Sequence, residues 1–183
     1  MPRNNWSREE LIVAFNLFCK TPFTKINSRY KPVKELAALI GRSDSAVALK
    51  LANFARLDPA LQGRNIAGMR HGSRGEEEIW HEFHRNWDLL AFESEKLLAS
   101  YKSQTVEKSV QIYSEDIALP QGREREAIVR VRVNQNFFRS TILASYNFKC
   151  CLTGCAVPEL LVASHIIPWA VDAENRLNPQ NGL

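Results

Sequence analysis

Two Ser-x-x-Glu boxes, Ser7-Arg8-Glu9-Glu10 and Ser73-Arg74-Gly75-Glu76, each stand at the head of an apolar run spaced by threes and fours. In such a box the serine hydroxyl takes the N–H of the third helical residue, and the glutamate carboxylate takes the serine's own N–H. Two donors that a helix start leaves orphaned are thereby satisfied. The boxes predict helices at both places and commit the first hundred residues to a mostly helical arrangement. After the first box, Leu11, Ala14, Phe15 and Phe18 repeat at helical spacing. Trp6, just before the cap, is placed to staple onto Leu11. Pro22 follows the end. A second helix is expected from Pro32 through Leu36, Leu39 and Ile40, stopping at Gly41. Ser43 then caps a third, with Val47, Leu51, Phe54 and the aliphatic stem of Lys50 on its inner face.

The second box opens a longer run. Trp80, Phe83, Trp87, Leu90, Ser94, Leu97 and Tyr101 form a heptad-like seam whose one polar member is Ser94. It predicts one long helix over about 74–102. Packing of the seam against the N-terminal helices is the expected use; self-association as a homodimer is the alternative. The intervening stretch 58–72, with Pro59, Gly63, Gly68 and Gly72, reads as a loop. Within the long helix, Glu77, His81 and His84 could share a face, but in so charged a stretch a solvated surface is the expected reading.

Beyond it, residues 103–122 read as a polar linker containing Pro120 and Gly122. Val129, Val131 and Val133 alternate with Arg130 and Arg132, which suggests a short half-exposed strand. Asn134 would cap a helix running through Phe137, Phe138, Ile142 and Tyr146. Two domains follow, helical over 1–102 and mixed over 123–183, giving an α+β chain.

Charge separates the same regions. Residues 1–70 carry a net +7, residues 71–122 a net −5 and the remainder +2. A basic head suits a polyanion-binding module. The helix pair split by Gly41-Arg42-Ser43, with a helix before it, resembles helix-turn-helix or Myb-like DNA readers. On that resemblance Arg42, Ser45, Lys50, Asn53 and Arg56 are the candidate DNA-binding residues. No apolar run reaches the roughly 18 residues of a membrane span, and a capped helix occupies the place of a signal peptide, so a cytoplasmic protein is expected. Cys19, Cys150, Cys151 and Cys155 fit free thiols better than a disulfide framework.

The last forty residues carry the chemistry. Cys150-Cys151-Leu152-Thr153-Gly154-Cys155 looks like a strand turning at Thr-Gly, and Leu160–Ile167 is a second β-rich run containing His165. Ala163-Ser164-His165-Ile166-Ile167-Pro168-Trp169, followed by Asn178-Pro179-Gln180-Asn181-Gly182-Leu183, resembles the HNH (His-Asn-His) endonuclease family with its ββα-metal core. The subgroup among restriction endonucleases is the nearest, with Phe137-Phe138-Arg139 and the Cys-x-Thr-Gly turn adding to the likeness.

The resemblance implies a metal-dependent endonuclease acting on double-stranded DNA, tied to restriction or defence. His165 would be the general base, Asn181 the residue that holds the loop geometry, and a divalent ion, Mg or Mn, the stabiliser of phosphate charge. Two departures accompany it. Ser164 stands where the family often has a metal-binding aspartate or histidine. The family's following helix, with its final metal-binding histidine, lies past Leu183, so the 183-residue chain is expected to hold an incomplete ββα domain and to be inactive by itself. Some HNH enzymes also carry a structural zinc; Cys151 and Cys155 could form one half of such a site, without a second pair. The rival readings are a non-catalytic DNA-binding protein and a protein-interaction module using the long helix.

Overall fold

The computed structural model describes residues 5–66, 72–110 and 122–183. The chain divides into two compact units, residues 1–86 and 87–183. The expected loop over 58–72 and linker over 103–122 lie partly outside the described residues.

In the first unit α1 (Arg8–Cys19), α2 (Lys31–Ile40), α3 (Asp44–Ala55), the single turn α4 (Pro59–Gln62) and α5 (Arg74–Phe83) surround an aromatic core. Both serine boxes form. Ser7 Oγ accepts from Glu10 N at 3.2 Å while Glu10 Oε2 accepts from Ser7 N at 2.7 Å. Glu76 Oε2 does the same for Ser73 N at 2.7 Å. Gly41, with φ +68°, ends α2 in the left-handed conformation that a side chain resists. Ser43 Oγ caps α3 through Ala46 N at 3.2 Å. Phe15 lies at the centre, 4.8 Å from Phe54 and 5.3 Å from Trp80 between ring centroids. Trp6 lies beneath Arg42 and Lys50, whose charged ends sit 5.1 and 5.4 Å from its ring.

The expected long helix is two helices. α5 ends at Phe83, and α6 (Trp87–Tyr101) begins after a turn in which Arg85 has φ +71°. The seam is therefore divided. Trp80 and Phe83 are buried in the first unit, Leu90 and Ser94 in the second, and Ser94 Oγ donates back to Ala91 O at 3.1 Å. Trp80, Phe83, Leu90 and Ser94 are thus covered within one chain, while Tyr101 at the end of the seam is exposed.

The second unit holds α6, the single turn α7 (Val106–Ser109) and α8 (Arg123–Ser145). The strand expected at 129–133 is part of α8. Val129 and Val133 are buried at 4% and 3% exposure while Val131 is 47% exposed. Alternation would have put all three on one face; a four-residue period carried on by Phe137 and Thr141 puts Val131 on the opposite one. Asn134 is accordingly an interior helical residue, not a cap, and its Nδ2 donates to Asp88, which also receives Arg130. Trp87 stacks on Phe137 at 6.4 Å.

The last 34 residues wrap irregularly against α8. Among the described residues they form no named strand, so the β part of the expected α+β fold reduces to a single antiparallel bridge, His165 with Gly182. Among the described residues the second β-rich run has no strand partner over its first half, where only Arg139 takes up Leu161 O, and Leu160 and Val162 are exposed. Leu177 packs with Phe138 and Ile142 of α8, flanked by Trp87, Ala163 and Trp169. Gly182 touches the same helix so closely that a Cβ there would fall 2.2 Å from Ile142 Cδ1 and 2.8 Å from Phe138 Cζ. No helix among the described residues is long and apolar enough to cross a membrane.

Candidate active site

His165 sits on a short ladder. Ser164 N donates to Leu183 O at 2.7 Å, Leu183 N to Ser164 O at 3.0 Å, and Ile166 N to Asn181 O at 2.9 Å. Two segments are thus clipped together on either side of the imidazole. The ladder is too short to hold by itself, and Asn181 extends it. Its Oδ1 accepts from Ile167 N at 2.8 Å, while Nδ2 donates to Ile167 O at 3.2 Å and to Asn175 O at 3.1 Å. A buried amide that satisfies both backbone groups of Ile167 does the work of another pair of ladder bonds. Asn178 begins the 3₁₀ turn Pro179–Asn181 by accepting from Gln180 N.

The ring of His165 is fixed on three sides. Phe138 of α8 lies parallel beneath it, 3.9 Å between centroids and 3° between planes. Trp169 meets it edge-on at 5.5 Å and 83°. Nε2 lies 2.8 Å from Arg176 O. A carbonyl oxygen has no proton to give, so Nε2 carries the N–H. In the neutral ring the lone pair then resides on Nδ1, which makes no hydrogen bond among the described residues. This tautomer is the one required of a base whose accepting nitrogen must stay open.

The loop that carries Arg176 is itself braced. Asp172 accepts from Glu174 N, Asn175 N and Asn175 Nδ2, and these bonds, Asn175's side chain foremost, hold its carboxyl below the ordinary aspartate range. Arg176 Nε donates to Trp169 O at 2.8 Å, with the guanidinium carbon 5.1 Å from the centre of the indole. Arg139 of α8 donates to the carbonyls of Leu161 and Pro158, tying the approach to His165 onto the helix.

The five residues expected to face DNA lie elsewhere and are mostly engaged. Arg42 pairs with Glu10 at 2.7 Å, Arg56 with Glu77 at 2.9 Å, and Lys50 with the fully buried Glu76. Asn53, expected outward, is buried and donates to Glu76 at 2.9 Å. Only Ser45 is exposed, sharing a hydrogen bond with Ser43. Val47, Leu51 and Phe54 form the buried face of α3 as expected, but its flank bears on the carboxylates of α5, of which Glu76 also completes the Ser73 box. Burial pushes the Glu76 carboxyl up. Lys50, Asn53 and the Ser73 N–H together outweigh it and hold it below the ordinary glutamate range.

The three cysteines of the Cys150–Cys155 turn are free thiols. Cys150 N donates to Cys155 O at 2.8 Å, so the expected turn is present. Cys150 Sγ accepts from Thr153 N, and donors from Thr153 and then Leu152 hold this thiol below its ordinary value. His84 stacks on Trp80 at 4.5 Å, and burial lowers its pKa.

Residues 150–183 match a family model described as HNH endonuclease. No curated protein and no solved structure matches the chain. HNH endonucleases generally use a divalent metal. The described residues do not fit the ion. No group of three His, Cys, Asp or Glu side chains converges anywhere among them, neither beside His165 nor at Cys151 and Cys155. Asp172, the carboxylate on the site's own loop, has its oxygens committed to Glu174 and Asn175.

Proposed function

We propose, from a C-terminal segment that carries the HNH endonuclease pattern, that the chain provides the general base and its scaffold for hydrolysis of DNA phosphodiester bonds. The observation that supports this best is the state of His165: Nε2 committed to Arg176 O, Nδ1 open, ring plane fixed by Phe138. A water hydrogen-bonded to Nδ1 would lose its proton there as its oxygen bonds to phosphorus. One ester P–O bond breaks, and the departing oxygen leaves with the electron pair and takes a proton from solvent. Asn181 acts through geometry, by holding the strand on which His165 stands. The divalent ion of the family would neutralise phosphate charge when bound, but the described residues do not make its site. Restriction or defence is the biological setting that fits this chemistry.

A second reading has an observation in its favour. The lack of a converging ligand set among the described residues suits a DNA-binding protein without catalysis. Plasmid nicking separates the two. The 183-residue chain is expected to nick poorly with Mg²⁺ or Mn²⁺. A chain extended past Leu183 by an HNH-type helix bearing a metal-binding histidine is expected to nick well. His165→Ala in the extended chain should abolish nicking and leave DNA affinity nearly intact, because a base acts in the chemical step. Undiminished nicking by that variant would remove His165 from the role.

A further inference from the structure

We propose that Arg176 is a phosphate-binding catalytic residue, whose guanidinium fork, set on the same indole that His165 meets, receives the DNA phosphodiester and neutralises the charge that builds on it during attack. The identity of the ligand rests on the nuclease reading above; the site itself rests on what surrounds Arg176. Its backbone and side chain serve the same small region. The carbonyl directs His165 through Nε2 at 2.8 Å, and the side chain lies over Trp169, the indole that the imidazole meets at 5.5 Å. Base and cation therefore share one aromatic support.

The other arginines with side-chain partners among the described residues are spent. Arg8, Arg42, Arg56, Arg74, Arg125 and Arg130 each pair with a carboxylate, and Arg139 gives both terminal nitrogens to carbonyls. Arg176 differs. Its Nε is held by Trp169 O, yet its two terminal nitrogens donate to no group among the described residues, and no carboxylate pairs with it. Asp172, on the same loop, is turned to Glu174 and Asn175 instead. A half-buried guanidinium fixed at Nε and stacked on an indole has lost most of its freedom before any ligand arrives. What it still offers is a planar pair of donors, the arrangement that suits two oxygens of one phosphate. Donors preorganised where charge develops stabilise a transition state more than a ground state.

The chemistry balances without a redox partner. Water gives its proton to His165 Nδ1 and its oxygen to phosphorus; the leaving oxygen takes the ester electron pair and a solvent proton. Arg176 exchanges no proton and donates hydrogen bonds to the two non-bridging oxygens throughout. It is the one arginine or lysine of residues 150–183, held on the indole that His165 also meets.

The test uses the full 183-residue chain and a fluorescent DNA duplex, with affinity read by anisotropy across a salt series in chelator. The wild-type chain should show a negative slope of log affinity against log salt. R176M should make that slope shallower by about one, the signature of one lost phosphate contact. R176K, which keeps the charge, should retain the slope, and K102M, an exposed lysine elsewhere, should not alter it. Integrity is read by NMR from the His165 ring proton, which Phe138 shifts upfield by its ring current and which R176M should leave in place. If R176M disturbs that signal, R176K decides: a slope unlike that of the wild type overturns the proposal. It is equally overturned by an unchanged slope in R176M, by an equal change in K102M, or by absence of duplex binding at low salt. Nicking is scored separately in the extended chain with Mg²⁺ or Mn²⁺: failure there with the slope change present removes the nuclease reading alone. Robust nicking there with an unchanged slope removes Arg176 alone.

Discussion

The first unit and the last 34 residues solve the same problem with opposite materials. In the first unit charge is set against charge: Lys50 on Glu76, Arg42 on Glu10, Arg56 on Glu77, all on or beside helices that form their own backbone bonds. In residues 150–183 there is little regular structure to satisfy the backbone, and amides and carbonyls carry the load, with Asn181 making three bonds and Asp172 three more. A cation in the first region is therefore part of the scaffold, whereas the one cation fixed in the second has donors to spare. Basic residues counted along a sequence do not tell these apart.

The sharpest way to break the comparison is Glu76→Ala. It strands Lys50, whose side chain is only 12% exposed, and removes the partner of buried Asn53. Losing one member of a buried pair costs about 3–5 kcal/mol, to be read by denaturant unfolding. A loss under about 1 kcal/mol, the value of an exposed pair, would place this contact at the surface energetically. The same residue makes an acid prediction. Its folded pKa lies below its ordinary value, so its contribution is complete above the ordinary glutamate range and disappears as pH falls through the lower folded value. Wild-type stability should fall in that acid window, and Glu76→Gln should flatten the fall.

Asn181→Ala comes next. It leaves Ile167's N–H and C=O and Asn175's C=O without their partner, and each such group costs about 1–3 kcal/mol if it stays buried. Hydrogen exchange should quicken at Ile166 and Ile167 while α3 amides stay protected. Equal quickening in both units would mean that they do not hold together independently. Arg56→Ala should have the smallest effect. Its partner Glu77 is 48% exposed, and such a pair contributes about 0–1 kcal/mol. DNA affinity should change little, and a steep loss would restore α3 as a DNA-contact helix.

What could be read in advance was local. The two serine boxes, the Gly41 stop and the Ser43 cap each depend on residues within a turn of one another, and each formed. What could not be read needed a neighbour. Val129 to Val133 fits a strand or a helix equally over five residues, and only contact with α6 through Asp88 and Trp87 decides it. The break at Arg85 has no glycine or proline to announce it, and the apolar spacing runs straight across. In the candidate site, His165 and Asn181 were visible as a spaced motif. Phe138 as the support of the imidazole was not, although the expected helix already held it, because the stacking joins residues far apart in the chain. Arg176 carried no sequence signal at all; its meaning lies in sharing Trp169 with His165.

Gly182 also sets an order in time. It is the residue that lets the terminal segment seat on Phe138 and Ile142, and it pairs with His165 across the bridge. His165 is synthesised before it. Until the glycine has seated, the bridge and the bonds of Asn181 to Ile167 are missing, and the imidazole rests on a tether rather than a frame. Contacts between distant parts of a chain are the slow ones to form. A nascent or half-folded molecule thus has the proposed base without its aim, and the proposed hydrolytic geometry waits on the completion of folding.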